Sequence, residues 1–304
     1  MKLNRLLNSD SRIITDGGLE TTLIFHKGIE LRSFAAFELL NNPEGREALK
    51  SYYQEYIKIA RDRNLPFLLE TPTWRSNPDW GKKLGYSTEE LFEVNKFAVS
   101  FFKEMLDGEN DLISGCLGPR GDGYQPGVQM SVDEAKGYHV TQIQAFKEAG
   151  ADLVSAITMN YLEEAVGITL AAKEQGIPVV ISFTVETDGK LPSGLSLAEA
   201  IQENDRLTES YPAYFMVNCA HPKHFSSVFE SSENWIGRIK GVRANASLKS
   251  HAELDESETL DEGDKVLLAN CYVELDRLLP ELRVIGGCCG TDHSHIEKVV
   301  EGLV

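Results

Sequence analysis

The stretch SVDEAKGYHVTQIQAFKEAGADLVSAI, residues 131–157, holds a helix start, a helix, a helix stop and a strand in unbroken succession. Ser131 followed three residues later by Glu134 matches a capping box, in which serine and glutamate side chains satisfy each other's backbone donors. Glu148-Ala149-Gly150-Ala151-Asp152 closes that helix on a glycine, the residue that adopts left-handed backbone without strain. Asp152 to Ile157 follows at once as an apolar, partly β-branched run of strand length. Gly176-Ile177-Pro178 repeats the stop before the next strand.

Outward from that unit, short apolar runs alternate with amphipathic stretches. The predicted strands are Arg12 to Thr15, Phe67 to Glu70, Asp111 to Cys116, Asp152 to Ile157, Pro178 to Thr184, Tyr214 to Asn218, Ile239 to Arg243 and Leu282 to Ile285. Most are apolar throughout, as parallel strands covered on both faces require. The predicted helices span 44–63, 88–107, 131–149, 161–175, 195–209, 221–232, 264–279 and 293–303. In the second, Leu91, Val94, Ala98, Phe101, Phe102 and Met105 recur on one face, after Ser87-Thr88-Glu89-Glu90 at its start. Eight strands alternating with eight helices predict right-handed βαβ units that close into an α/β barrel, a (β/α)8 TIM barrel, as one domain over residues 1–304. An open doubly wound sheet is the alternative. Residues 244–263 and 71–86 are long loops that follow strands, and so belong to the face where barrels build their sites.

Composition places further bounds. Of 304 residues 42% are hydrophobic and 25% charged, the proportions of an ordinary globular domain. The 30 basic residues are outnumbered by 47 acidic ones, and the net charge of −17 repels nucleic acid and anionic lipid surfaces. Met1 to Asp16 has no apolar core fit for a signal peptide, and no run approaches the ~18 apolar residues of a membrane span. The expected setting is the cytoplasm, with neither nucleic acid nor membrane as partner. No G-x-G-x-x-G or Walker loop appears.

Five cysteines, Cys116, Cys219, Cys271, Cys288 and Cys289, are an odd number, which argues against a disulfide framework and for metal or catalytic use. Cys219 directly follows the sixth strand, and Cys288-Cys289 follow the eighth within Gly286-Gly287-Cys288-Cys289-Gly290-Thr291. All three fall at the same barrel face, where their loops can converge on one ion. Zinc favours thiolates, and three protein ligands leave the open position of a catalytic site. The bland alternative is a set of small buried thiols, the reading that suits Cys116 and Cys271. His221, His293 and His295 lie near helix starts, where capping or surface roles are commoner than ligation. Asp16-Gly17-Gly18 ends the first strand at the same mouth, in a sequence that ordinary turn chemistry also explains. Glu70 and Glu186 stand near strand ends, Asp122 and Asp188 in exposed turns. Trp74, Trp80 and Tyr124 offer aromatic faces to a cation or, more plainly, to packing.

Several motifs together resemble the zinc-dependent homocysteine S-methyltransferases. They are Asp16-Gly17-Gly18-Leu19-Glu20-Thr21-Thr22-Leu23, Gly115-Cys116-Leu117-Gly118-Pro119, Glu148-Ala149-Gly150-Ala151-Asp152, Ser182-Phe183-Thr184, Val217-Asn218-Cys219 and Gly286 to Thr291. The resemblance implies a (β/α)8 barrel with zinc on Cys219, Cys288 and Cys289. It also implies a small-molecule thiol acceptor, homocysteine, and a cationic methyl donor such as S-methylmethionine or betaine. Asp16, Gly17, Gly18, Glu70, Asn218 and Trp74 are the expected substrate contacts, and a homo-oligomer is compatible with the family.

Two departures stand out. The family usually ends the fourth strand with a glutamate for the homocysteine amino group, whereas this chain has Ile157, which cannot pair with an ammonium. The predicted substitute is Glu70, with Glu186 as a second source. Leu31 to Phe37 also lacks the family's usual Asp-Pro-Leu-Trp. Ile157 leaves a different thiol acceptor as an alternative. A zinc hydrolase is disfavoured because an all-thiolate set weakens Lewis acidity, and a noncatalytic zinc-binding barrel is the remaining rival.

Overall fold

The computed structural model describes residues 2–230 and 233–304. Eight parallel strands form one sheet: β1 Ile13–Ile14, β2 Leu68–Glu70, β3 Leu112–Leu117, β4 Leu153–Met159, β5 Val179–Phe183, β6 Tyr214–Asn218, β7 Ile239–Ala244 and β8 Val284–Gly287. Neighbours pair in the order β1-β8-β7-β6-β5-β4-β3-β2. The circle is completed by a parallel bridge between Ile14 and Phe67, where the Ile14 amide donates to the Pro66 carbonyl at 2.9 Å. The result is the (β/α)8 barrel expected from the alternation.

The outer ring consists of α1 Pro43–Asp62, α2 Thr88–Lys103, α3 Val132–Glu148, α4 Leu162–Gln175, α5 Leu197–Thr208, α6 Pro222–Phe225, α7 Lys265–Leu278 and α8 His293–Leu303. The capping boxes at Ser87/Glu90 and Ser131/Glu134 form as expected, and Gly150 and Gly176 take φ of +77° and +64° at the helix stops. The helix predicted over 221–232 is corrected. Only four α-helical residues form, followed by the 3-10 turn Ser226–Phe229, and residues 231 and 232 lie outside the described residues. The two long loops carry helices of their own, Pro78–Leu84 and His251–Asp255; Asn77 and Ser250 cap them.

Alternation along the strands divides the molecule. Outward residues such as Ile14, Leu69, Ile113, Val154, Phe215 and Ile285 pack against the helices. Inward residues Ile13, Leu68, Leu112, Leu153, Val180 and Met216 meet Leu3, Leu6 and Leu7 of the N-terminal helix Lys2–Leu7, which plugs the floor. Two residues further along those strands the same face turns polar, with Glu70, Ser114, Ser155, Ser182 and Asn218, all buried. An apolar floor therefore carries a polar layer, and the site stands on that layer.

Candidate active site

At the C-terminal mouth the sulfurs of Cys219, Cys288 and Cys289 lie within 4.8 Å of one another. Cys219 directly follows β6 and has φ +54°, an uncommon conformation for a residue with a Cβ, which persists where surroundings over-determine it. Those surroundings are Asn245 Nδ2, which donates to the Cys219 carbonyl at 3.0 Å, and His251 Nε2, 2.6 Å from the same oxygen. Cys288 and Cys289 follow β8; the Cys288 amide donates to Ala244 O at 2.8 Å, and Gly290 turns the chain at φ +78°.

No disulfide was expected from the sequence, yet the Cys219 and Cys288 sulfurs are paired as one. Reduced, the three cysteines form a cluster that could hold a metal ion. The Cys219 and Cys289 sulfurs are 3.9 Å apart, close to the ~3.8 Å edge of a tetrahedron with zinc–sulfur bonds of ~2.3 Å. Polar groups flank the sulfurs, with Asn218 Nδ2 at 3.9 Å from Cys288 and the Tyr124 hydroxyl at 3.6 Å from Cys289. The donor set and its surroundings fit zinc.

Asn218 is more than a neighbour of Cys288. Its Oδ1 accepts from the Thr158 amide at 3.0 Å and the Ser182 hydroxyl at 2.6 Å, while its Nδ2 donates to Thr158 Oγ1 at 2.9 Å. Thr158 has φ +67° where the register of β4 shifts between Ala156 and Met159. The Asn218 amide thus clamps an irregular strand end to the strand that carries Cys219, a usual place for such an irregularity.

Beneath and beside the sulfurs is a cavity of about 200 Å³ lined by Asp16, Gly17, Gly18, Glu70, Trp74, Ile157 and the three cysteines, among others. Every substrate contact expected from the sequence except Asn218 lines it. The Asp16 carboxylate is already engaged, with Arg243 at 2.8 Å and the Tyr52 hydroxyl donating at 3.0 Å. The Gly18 amide donates to Thr291 O at 3.0 Å and so is occupied. A Cβ at Gly18 would stand 2.6 Å from the Cys288 carbonyl, so glycine is required for the turn to approach the cysteine loop.

Glu70 differs. It is buried, and neither carboxylate oxygen has a hydrogen-bond partner. The nearby Ser114 and Ser155 hydroxyls bond each other at 2.8 Å. Burial raises the Glu70 carboxyl, and the positive charge of Arg243, with the nearby Ser155 and Ser114 hydroxyls, opposes that shift. Burial pulls Arg243 down, but the charges of Asp16 and Glu70 more than reverse this and hold it protonated.

Other expected residues fall elsewhere. Glu186 faces His251 Nδ1 at 3.3 Å and is not part of the cavity lining, so it supports the histidine that holds Cys219. His221 caps α6, His293 pairs with Glu55 at 2.5 Å, and His295 with Asp292 at 2.7 Å; none belongs to the sulfur cluster. Asp188 accepts from the Lys190 amide in a turn, and Asp122 accepts from the Tyr124 amide at 2.8 Å at the cavity edge. Cys116 lines the cavity as a buried thiol raised by burial, and Cys271 lies buried in α7.

Sequence reasoning missed Arg243, Arg75 and His251. The available signal for Arg243 was an arginine two residues on from Gly241, at an inward position of the strand Ile239-Lys240-Gly241-Val242-Arg243-Ala244. For His251 there was none, because its partner's carbonyl is 32 residues away.

A family model described as homocysteine S-methyltransferase matches residues 13–303. The chain is similar to Homocysteine S-methyltransferase 1 of Arabidopsis thaliana, with 24% identity over 95% of this chain and 93% of that one. It is 25% identical to Homocysteine S-methyltransferase YbgG of Bacillus subtilis, over 98% and 96% of the two chains. Among solved structures, the metallated form of the homocysteine methyltransferase MmuM from Escherichia coli superposes with a TM-score of 0.75 at 18% identity, covering 98% of this chain and 99% of that one. That likeness shows the shared fold. With the family model matched over residues 13–303 and Cys219, Cys288 and Cys289 gathered at the mouth, the chain belongs to the homocysteine S-methyltransferase family and is an enzyme of that class.

Proposed function

We propose that the protein methylates homocysteine to methionine, with zinc held by Cys219, Cys288 and Cys289 and a sulfonium or quaternary ammonium compound as methyl donor. The observation that carries this reading is the meeting of three thiols within 4.8 Å at the barrel mouth, in a chain of this family. When bound, zinc lowers the pKa of a thiol that enters its open position, so a thiolate is available at neutral pH.

The chain's own residues bind and orient. Glu70 takes the ammonium of homocysteine in the place where the family's glutamate is replaced by Ile157. Asp16, Glu70 and Arg243 carry one negative charge in excess when Glu70 is ionised, and one ammonium balances it. A carboxylate left without partners in a buried site is unfavourable, so Glu70 binds a cation or a proton. Gly17 and Gly18 let the turn pack against Tyr56, Thr291 and the Cys288 carbonyl, where a Cβ would clash, and Asp16 fixes that turn through Arg243, which donates to Gly17 O at 3.1 Å. Trp74 forms the wall opposite, its Nε1 donating to Ile157 O at 3.0 Å. The walls screen water and align thiolate, methyl carbon and leaving group, which supplies much of the rate.

The test uses reduced, zinc-loaded protein with homocysteine labelled in its carbon skeleton and unlabelled S-methylmethionine or betaine, followed by mass spectrometry. Labelled methionine is expected, lost in Cys288→Ala. Glu70→Gln should raise the homocysteine KM by about 10- to 100-fold, the effect of removing a charged hydrogen-bond partner. Absence of labelled methionine with every donor contradicts the reading, and an unchanged KM in Glu70→Gln contradicts the role of Glu70.

A further inference from the structure

Two cations line the cavity, and their surroundings differ. Arg243 is fully engaged by Asp16, Thr15 and the carbonyls of Gly17 and Gly287. Arg75, on the loop after β2, is only 7% exposed, and among the described residues no carboxylate forms an ion pair with it. One guanidinium nitrogen donates to Gly121 O at 3.0 Å, and Nε has no partner. The guanidinium is stacked between two indoles, with its carbon 4.1 Å from the Trp74 ring centre and 3.9 Å from that of Trp80.

The stack is rigid. Trp74 is tied to Ile157 O at 3.0 Å, and Trp80 Nε1 donates to Gly121 O at 3.3 Å. Stacking covers the guanidinium faces, so recognition falls to the edge of this cavity-lining residue, where the buried Nε has no partner. A guanidinium edge recognises a carboxylate through two parallel hydrogen bonds. Burial lowers Arg75 to about 10, against the pull of Asp122 and Glu20, so the group is charged at neutral pH. A buried charge without a counter-ion is unfavourable by several kcal/mol, and an anionic ligand would relieve this. One face of Trp74 is covered by Arg75, which removes it as a platform for a cationic ligand.

We propose that Arg75 is a specificity-determining residue that docks the carboxylate of the zwitterionic methyl donor. This rests on the reading of the site as a thiol methyltransferase. The donor is favoured over the acceptor because Arg75 stands on a loop beyond the strand ends, beside Asp122, Gly123 and Tyr124. The acceptor's charged end belongs to the polar layer inside the barrel at Glu70. Asp122 at the rim supplies negative charge for the donor's cationic centre.

The experiment pairs donors that differ in the carboxylate: glycine betaine with choline, and S-methylmethionine with its amide. Zinc-loaded wild type should prefer the carboxylate member by at least about tenfold in kcat/KM, as a charged hydrogen-bonded pair implies. In Arg75→Met that ratio should collapse toward one, chiefly through donor KM, with homocysteine KM unmoved; Arg75→Lys, which keeps charge without the fork, should fall between. An equal loss on both members of a pair, or a rise in homocysteine KM instead, overturns the proposal. Two of the three tryptophans flank Arg75, so fluorescence titration with each donor reads docking without turnover. If wild type transfers no methyl group, the methyltransferase reading fails. The titration then still decides the role of Arg75, which stands only if carboxylate donors quench wild type and not Arg75→Met. Circular dichroism of each variant confirms that it is folded.

Discussion

Glu20 follows the Asp16-Gly17-Gly18 turn at the cavity rim, and burial there, helped by Asp16, pushes its carboxyl up to about 7. A carboxyl whose folded-state pKa is raised binds more protons folded than unfolded between its two pKa values. Its contribution to stability is therefore full below about 4.5 and is lost as pH rises to about 7. Glu20→Gln has no such loss, so its Tm relative to wild type should be higher at pH 8 than at pH 5; a difference that is the same at both pH values contradicts the shift. At this scale the three cysteines were legible, because a residue directly after a barrel strand must lie at the mouth. Arg75 was not, because its role depends on Trp80 stacking from a loop helix whose position follows from the tertiary fold. Glu70 was legible as a carboxylate near a strand end, but its burial beside the Ser114 and Ser155 pair follows from the barrel interior, which periodicity does not show.

Elements show the limits of pattern more clearly. Helix α3 and strand β4 were readable because capping box, glycine stop and apolar run agree, whereas the 221–232 helix failed because periodicity does not register where a chain tightens into 3-10 turns. Packing between helices is invisible to periodicity as well. Gly167, in the middle of α4, has no propensity reason to be glycine, yet a Cβ there would lie 2.5 Å from Ala135 Cβ and 2.7 Å from the Val132 carbonyl of α3. Alanine would favour an isolated helix by up to ~1 kcal/mol. Overpacking against backbone costs about 1–3 kcal/mol, so the clash prevails. Gly167→Ala should lower the urea midpoint, and an unchanged or higher midpoint contradicts the close approach.

For the whole molecule, counting eight strands predicted a barrel, but not how it closes. Closure depends on the single Ile14–Phe67 bridge beside a two-residue β1, and on three leucines of the N-terminal helix under the floor. Among the described residues no helix is long and apolar enough to cross a membrane. The net charge of −17 accords with a cationic centre on the donor, while the local contrast between Glu70, whose oxygens lack hydrogen-bond partners, and Arg75, which lacks a carboxylate partner among the described residues, says more about which charged groups the cavity receives. The central claim is that three cysteines hold a metal whose open position takes the acceptor thiol. X-ray absorption at the zinc edge on reduced, zinc-loaded protein tests it most directly. Three sulfur neighbours and one lighter atom are predicted before homocysteine is added and four sulfurs after it; a sulfur count that does not rise contradicts the account.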